Sequence, residues 1–223
     1  MDAWYQIARS ALKLVLRKGV RTSYSQDGED ILVSAFLREE QGVYVDVGAY
    51  HPTLYSNTYS FYRHGWNGIV IDPNSTMKPL YSFFRPRDQF VCAAIGAESR
   101  TGEYYRFSDG AYNTLTQSDA ERSKQNKNLK FLGSKPVAIR PLKEVLHEAG
   151  VTEVDFLTID IEGMDVEALM SYDWNMPPRV IAIEDNTFDA HAPEKSPACV
   201  YLTEKGYRLV SFSPRTLIFL LGK

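Results

Sequence analysis

The chain has 223 residues, a length that supports one α/β domain with a full core rather than two small ones. Charged residues make up 24% and hydrophobic residues 44%, the composition of an ordinary globular domain. The formal net charge of −3 argues against a surface that binds nucleic acid, and no apolar run approaches the roughly 20 residues that a membrane span needs. We expect a cytoplasmic protein with no nucleic-acid partner and no membrane span.

The first 22 residues form a segment of their own. Apolar and basic residues alternate at helical spacing between Ala3 and Val20, which predicts an amphipathic helix. We expect this helix to pack on the domain; the alternative is peripheral contact with a membrane surface or a partner. The remaining residues, 23–223, are predicted to form one domain.

Helices and strands then alternate along the chain. The first half is predicted to contain a helix at 25–38, strands at 43–47 and 69–71, a helix at 75–84, a strand at 90–95 and a short edge strand at 104–107. The polar, lysine-rich stretch 119–132 is predicted to be a mobile loop. The second half is predicted to contain a strand at 137–139, a helix at 142–148, a strand at 154–159, a helix at 164–170, a strand at 180–183, a helix at 197–205 and terminal strands at 207–212 and 216–221.

This order predicts an α/β fold with a doubly wound, seven-stranded sheet. The sheet is expected to be mostly parallel, since each strand is followed by a helix. The two terminal strands are joined by a short turn, so one antiparallel strand is expected near the C-terminus.

The first two predicted strands end near carboxylates. One runs into Asp46-Val47-Gly48-Ala49, and the other ends at Asp72. Ligands of an open parallel sheet bind outside the carboxyl ends of its strands, where Asp72 is suited to accept hydrogen bonds from a ribose diol. Gly48 and Ala49 would let the backbone lie against the ligand, and Asp46 would reach its other end directly or through water. The alternative is that both carboxylates only cap turns.

The turn after the first strand discriminates between cofactors. It carries one glycine, whereas dinucleotide-binding folds usually carry the pattern G-x-G-x-x-G at this place. The phosphate-binding pattern G-x-x-x-x-G-K-[ST] does not occur in the sequence either. A nucleoside cofactor without phosphate, S-adenosylmethionine, is therefore favoured over NAD or FAD. A nicotinamide-dependent oxidoreductase and a catalytically silent nucleoside-binding module are the alternatives.

Five strings, in matching order, resemble the FkbM family of S-adenosylmethionine-dependent methyltransferases. They are Ser-Gln-Asp-Gly-Glu-Asp at 25–30, Tyr-Val-Asp-Val-Gly-Ala at 44–49, Ser-Asn-Thr at 56–58, Gly-Trp-Asn-Gly-Ile at 65–69 and Asp-Phe-Leu-Thr-Ile-Asp-Ile-Glu-Gly at 155–163. The resemblance implies a Rossmann-like fold and O-methylation, commonly of a sugar or natural-product hydroxyl. The cofactor positions that it implies are Asp46, Gly48 and Asp72, with Gln26, Glu29, Ser56, Asn57 and Thr58 along the methionine end.

Acidic residues also follow two later strands. Asp160 and Glu162 come after one strand, and Glu184 and Asp185 come at the end of the next. Adjacent parallel strands would bring these acids to the sheet edge that holds the cofactor, where like charges need a proton or a cation between them. Oxygen ligands suit Mg²⁺ or Mn²⁺. The arrangement is similar to the metal site of catechol-type O-methyltransferases, with Asp160, Glu184 and Asp185 at the ligand positions. The alternative is that the acids cap helices and bind substrate hydroxyls without a metal.

Methyl transfer to a hydroxyl also needs a group that removes the proton. The candidate catalytic residues are Asp160, Glu162, His51 and His191. His51 follows the cofactor turn and His191 follows the acidic cluster, but a purely structural or surface role is the alternative for each histidine. The expected acceptor is a saccharide or another small molecule that carries a hydroxyl group.

Overall fold

A computed structural model describes residues 3–16, 21–37, 41–161 and 163–222. The helices are α1 (Ala3–Val15), α2 (Glu29–Val33), α3 (Tyr59–Arg63), α4 (Lys78–Phe84), α5 (Gln117–Lys124), α6 (Leu142–Glu148), α7 (Asp165–Met170) and α8 (Pro197–Glu204). The strands are β1 (Val43–Val47), β2 (Asn67–Ile71), β3 (Gln89–Val91), β4 (Ala94–Ile95), β5 (Arg100–Phe107), β6 (Phe131–Arg140), β7 (Phe156–Ile159), β8 (Val180–Glu184), β9 (Tyr207–Phe212) and β10 (Thr216–Leu221).

Seven strands form one sheet in the order β3-β2-β1-β7-β8-β10-β9. The pairs from β3 to β8 are all parallel, and β10 runs antiparallel to both of its neighbours. The predicted α/β class and the Rossmann-like, seven-stranded sheet with one antiparallel strand are therefore confirmed. Every residue of β8 is buried, as expected for a central strand that is covered on both faces.

Two hydrophobic cores lie on the two faces of this sheet, because successive side chains of a strand point to opposite sides. Val45 and Val47 of β1 belong to one core, which helices α6, α7 and α8 cover. Tyr44 belongs to the other core, together with residues of α2, α3 and α4. Both faces of the parallel strands are thus sealed, and only the strand ends are open to a ligand.

A second sheet, with the order β4-β6-β5, was not predicted. The expected strand at 90–95 is divided, because β3 stays in the main sheet while β4 pairs with β6. The expected edge strand at 104–107 and strand at 137–139 are parts of the longer β5 and β6, which pair from Arg100 and Ile139 to Phe107 and Phe131. The small sheet places the chain between β5 and β6 over the ends of the main strands.

The prediction of a loop at 119–132 is wrong except at 125–130. Helix α5 covers its first part, and β6 begins at Phe131. Ala120 is the one buried residue of α5, so the helix lacks the apolar periodicity by which a sequence reveals a helix. Ion pairs between residues three apart, Asp119 with Arg122 and Glu121 with Lys124, support it on its exposed side.

Helix α1 does not show the expected packing on the domain. Every side chain of α1 whose burial is described is exposed. Among the described residues, no helix combines the length and the apolar character that crossing a bilayer requires. The domain boundary at residues 22 and 23 stays a prediction.

A buried cation lies beside the ends of β1 and β2. The Arg85 side chain is completely buried, and its Nε donates to Asp88 Oδ2 over 2.6 Å. Its two terminal nitrogens donate to Pro52 O, Ser56 Oγ, Thr58 Oγ1 and Tyr44 Oη, at 2.9 to 3.4 Å. The guanidinium therefore ties segment 52–58 to the main sheet.

Replacing Arg85 by Met is expected to destabilise the protein by about 3–5 kcal/mol, because the buried Asp88 carboxylate would lose its partner. Urea unfolding measures the change. The control is Arg140→Met, which breaks an exposed ion pair with Glu148 and should cost less than about 1 kcal/mol. Equal losses of unfolding free energy in the two variants would show that the buried Arg85 stabilises the protein no more than the exposed Arg140 does.

Candidate functional site

A cavity of about 230 Å³ opens at the carboxyl ends of β1, β2 and β7. Gly48 and Asp72 lie in its wall at the ends of β1 and β2, and Asp160 follows β7. The segment 109–115, between β5 and α5, forms much of the opposite wall. This is the place at which open α/β sheets bind ligands.

Gly48 has a structural reason to be glycine. Its φ is +84°, and a Cβ atom built there would lie 1.7 Å from the carbonyl oxygen of Asp160. Its N–H donates to Ile71 O over 2.9 Å, so the turn is fixed to the end of β2. The expected reason for this glycine was close approach to a ligand, but the observed close approach is to the backbone after β7.

The Asp72 carboxyl group faces the cavity and is nearly buried, with 7% exposure. Its Oδ2 accepts from the backbone N–H of Tyr50 over 3.0 Å, and its Oδ1 accepts from that of Asn74 over 2.7 Å. Burial raises the pKa of Asp72 to about 7, although these two hydrogen bonds oppose the shift. Each carboxylate oxygen has a second lone pair, so the group can still accept hydrogen bonds from a ligand.

Tyr50 connects the two walls of the cavity and was not among the predicted site residues. Its φ of +41° is unusual for a residue other than glycine. Its hydroxyl donates to Asp109 Oδ1 over 3.3 Å, across to the segment 109–115. A sequence signal for this contact does not exist, since the two residues follow strands of different sheets.

The other predicted cofactor residues lie in different surroundings. Gln26 lines the cavity. Behind the wall, Thr58 Oγ1 donates to Asp46 Oδ2 over 2.5 Å, and burial raises the pKa of Asp46 to about 6. Ser56 and Thr58 also accept hydrogen bonds from Arg85. Asn57 donates a hydrogen bond to Thr158. Glu29 accepts one from Ser213, and the carbonyl oxygen of Ala49 accepts one from Tyr81. Within the described chain, six predicted cofactor residues therefore lie behind the wall and do not line the cavity: Glu29, Asp46, Ala49, Ser56, Asn57 and Thr58.

Three carboxylates converge beside the cavity. Asp160, Asp165 and Glu184 each offer an oxygen, and these oxygens all lie within 4.8 Å of one another. Both oxygens of Asp165 accept backbone N–H groups, from Ile161 over 2.9 Å and from Gly163 over 3.0 Å. Burial, with a contribution from the Asp160 charge, raises the pKa of Asp165 to about 7. Asp165 was not predicted, because an acidic residue in the first turn of a helix is ordinary.

Asp185, the third predicted metal ligand, is not part of this cluster. Its Oδ1 accepts from the backbone N–H of Thr187 over 2.9 Å, and its Oδ2 accepts from Ser196 Oγ over 2.6 Å. It therefore connects a turn to the start of α8. Glu162 lies outside the described residues.

Neither His51 nor His191 lines this cavity or the second one described below. His51 Nδ1 accepts from the backbone N–H groups of Thr53 and Leu54, both at 3.2 Å, so the ring closes a turn. Burial lowers the pKa of His51. His191 is exposed, and its backbone N–H donates to Asp189. These positions give neither residue access to a ligand in the cavity.

A second cavity of about 350 Å³ adjoins the first, and Tyr112, Thr114 and Arg215 line both. Most of the residues that line it are polar: they include Glu184 of the acidic cluster, Asn186 after β8 and residues of α5. Asp160 lines the first cavity and Glu184 lines the second. The acidic cluster thus lies where the two cavities meet.

Comparison with known proteins agrees with this geometry. The model of the methyltransferase FkbM domain family matches residues 46–209, which is more than half of the chain. The matched segment contains both the β1 turn and the acidic cluster. No curated protein is similar enough in sequence to match.

The Gly48→Ala variant is expected to lose about 3 kcal/mol of stability or more, because it combines a left-handed backbone with a collision against Asp160. Gly150→Ala is the matched control. Gly150 also has a positive φ, +73°, but an added Cβ atom would meet nothing within 4 Å, so that variant should lose only about 1–2 kcal/mol. Urea unfolding compares the two, and similar losses would refute the close approach.

Proposed function

The chain belongs to the FkbM methyltransferase family, and we propose that it transfers a methyl group from S-adenosylmethionine to a hydroxyl oxygen of a sugar, glycan or related metabolite. The observation that carries this proposal is the pair of adjoining cavities with the acidic cluster between them. One cavity suits the donor and the other suits a polar acceptor. We also propose that the protein acts in the cytoplasm and without a nucleic-acid partner.

The first cavity suits a nucleoside. Asp72 offers carboxylate oxygens for a ribose diol, and Gly48 exposes backbone without a side chain. Ile71, Ile95 and Tyr104 give the same cavity an apolar and aromatic part, which suits the flat face of a base. The turn has one glycine, whereas a dinucleotide-binding turn carries the pattern G-x-G-x-x-G, and this difference favours S-adenosylmethionine over a dinucleotide.

S-adenosylmethionine would supply an electrophilic methyl group on a sulfonium centre. The protein then has to orient the acceptor oxygen and accept its proton. We assign both tasks to Asp160 and Glu184, and the support is that they line different cavities and that their carboxylates converge. Arg215 lines both cavities and so adds a positive group to them; it also pairs with Asp27 over 3.0 Å.

A polyhydroxyl acceptor suits the second cavity. Its wall presents carboxylate, amide, hydroxyl and guanidinium groups from Glu184, Asn186, Ser123 and Arg122. Such groups form the directional hydrogen bonds by which sugar hydroxyls are bound. This composition supports a saccharide over an apolar acceptor.

The acidic cluster also fits a divalent cation of the Mg²⁺ or Mn²⁺ type, because its donor atoms are all carboxylate oxygens. We propose that Asp160, Asp165 and Glu184 would hold it, in place of the predicted set that included Asp185. A bound cation would lower the pKa of an acceptor hydroxyl. Without one, a proton shared with Asp165 would reduce the repulsion among the three acids.

Asp72→Asn is expected to weaken binding of S-adenosylhomocysteine by about 1.5–3 kcal/mol, the range for hydrogen bonds to a charged group. A diol binds the ionised carboxylate, and the pKa of Asp72 in the free protein is about 7. The affinity of the wild-type protein should therefore rise as the pH increases from 6 to 8, and this rise should be lost in the variant.

Isothermal titration calorimetry at the two pH values measures both effects. Glu153→Gln, which removes an exposed carboxylate, is the control and should bind like the wild type. Unchanged affinity and unchanged pH dependence in Asp72→Asn would remove Asp72 from the donor site.

The cation is tested by direct titration of the metal-stripped protein with Mn²⁺, followed by electron paramagnetic resonance. Asp160→Asn and Glu184→Gln should weaken Mn²⁺ binding about tenfold or more, because each removes a ligand. Asp185→Asn is the matched control and should bind Mn²⁺ like the wild type, because Asp185 bonds Thr187 and Ser196 and is not part of the cluster. If the wild-type protein does not bind Mn²⁺, the carboxylates act as proton acceptors and substrate-binding groups alone.

A further inference from the structure

Helix α1 presents an apolar face that no other described part of the chain covers. Trp4, Ile7, Ala11 and Val15 follow one another at intervals of three and four residues, so they share one side of the helix. Trp4 is 80% exposed, Ile7 57% and Val15 79%. Large apolar side chains that are exposed together mark an interaction site.

The other side of α1 is basic. Arg9 and Lys13 are four residues apart, and the sequence of the helix contains no acidic residue. The segment 1–22 contains five basic residues and one acidic residue, a charge of +4, whereas residues 23–223 contain 20 basic and 27 acidic residues, a charge of −7. The positive charge is thus concentrated beside the apolar face.

We propose that α1 lies on the surface of a bilayer that contains anionic phospholipids. Trp4, Ile7 and Val15 would enter the boundary between headgroups and acyl chains, while Arg9 and Lys13 would contact lipid phosphates. The helix has 13 residues and is about 20 Å long, so it lies along the surface and does not span it.

The positive charge of the segment 1–22 favours an anionic bilayer over a second copy of the chain as the partner of α1. Two α1 helices packed by their apolar faces would leave Arg9 and Lys13 on their outer sides, where the concentrated positive charge would gain no partner. An anionic surface instead attracts α1 and repels the acidic domain. Contact is therefore expected to be restricted to the N-terminal segment, with the cavities left free for donor and acceptor.

Flotation of the full chain with lipid vesicles at about 50 mM salt tests the proposal, since the electrostatic attraction is strongest at low ionic strength. The protein should float with vesicles of phosphatidylcholine and phosphatidylserine and not with phosphatidylcholine alone. The variant Arg9→Gln/Lys13→Gln should bind the anionic vesicles about tenfold more weakly or worse. The control Lys143→Gln/Lys195→Gln removes two exposed charges from the domain and should bind like the wild type.

Tryptophan fluorescence gives a second measurement. Trp66 is buried and Trp174 packs against Tyr172, Tyr201 and Tyr207, so a blue shift on addition of vesicles should come from Trp4 and disappear in Trp4→Phe. Since the substituted side chains of α1 are exposed, all variants should keep the unfolding midpoint of the wild type. Failure of the wild-type chain to float, or equal flotation of the two charge variants, would overturn the proposal. So would a dimer in solution that Ile7→Asp dissociates, because it would assign the face to a second copy.

Discussion

The buried guanidinium of Arg85 is the constraint on which the rest of the site depends. A cation that is fully removed from water has to be surrounded by acceptors, and here they come from Asp88, Tyr44 and segment 52–58. Thr58 passes the connection on to Asp46 at the end of β1. The wall behind the first cavity is therefore held by one polar network, and the family strings at 44–49 and 56–58 meet in it.

The main sheet could be predicted because its central strands are buried on both faces and are mostly apolar, as in Val43–Val47 and Val180–Glu184, each of which has one acidic residue at or near its end. The second sheet could not, since β6 has one exposed face and polar residues interrupt its pattern. Helix α5 was missed for the same reason. When an element buries few side chains, its structure depends on tertiary contacts, and the periodicity of its sequence does not predict that structure.

The candidate site was predictable where it depends on strand ends, and less so elsewhere. Gly48, Asp72, Asp160 and Glu184 come at or just after the ends of buried strands, and the structure brings all four to the same edge of the sheet. Adjacent residues at a strand end point in different directions, so Glu184 faces the cluster while Asp185 turns to Ser196. The position of Asp165 depends on the turn that follows Asp160, and that of Tyr50 on the second sheet. Neither arrangement has a signal in a single sequence.

The central claim is that the cavity at the ends of β1 and β2 binds the methyl donor and directs it toward the acidic cluster. A crystal structure of the chain soaked with S-adenosylhomocysteine tests it most directly. The account predicts the ribose diol on Asp72 and the homocysteine sulfur on the side of the cavity where Asp160 lies. Density for the ligand at another place on the chain, or a ribose that does not contact Asp72, would contradict it.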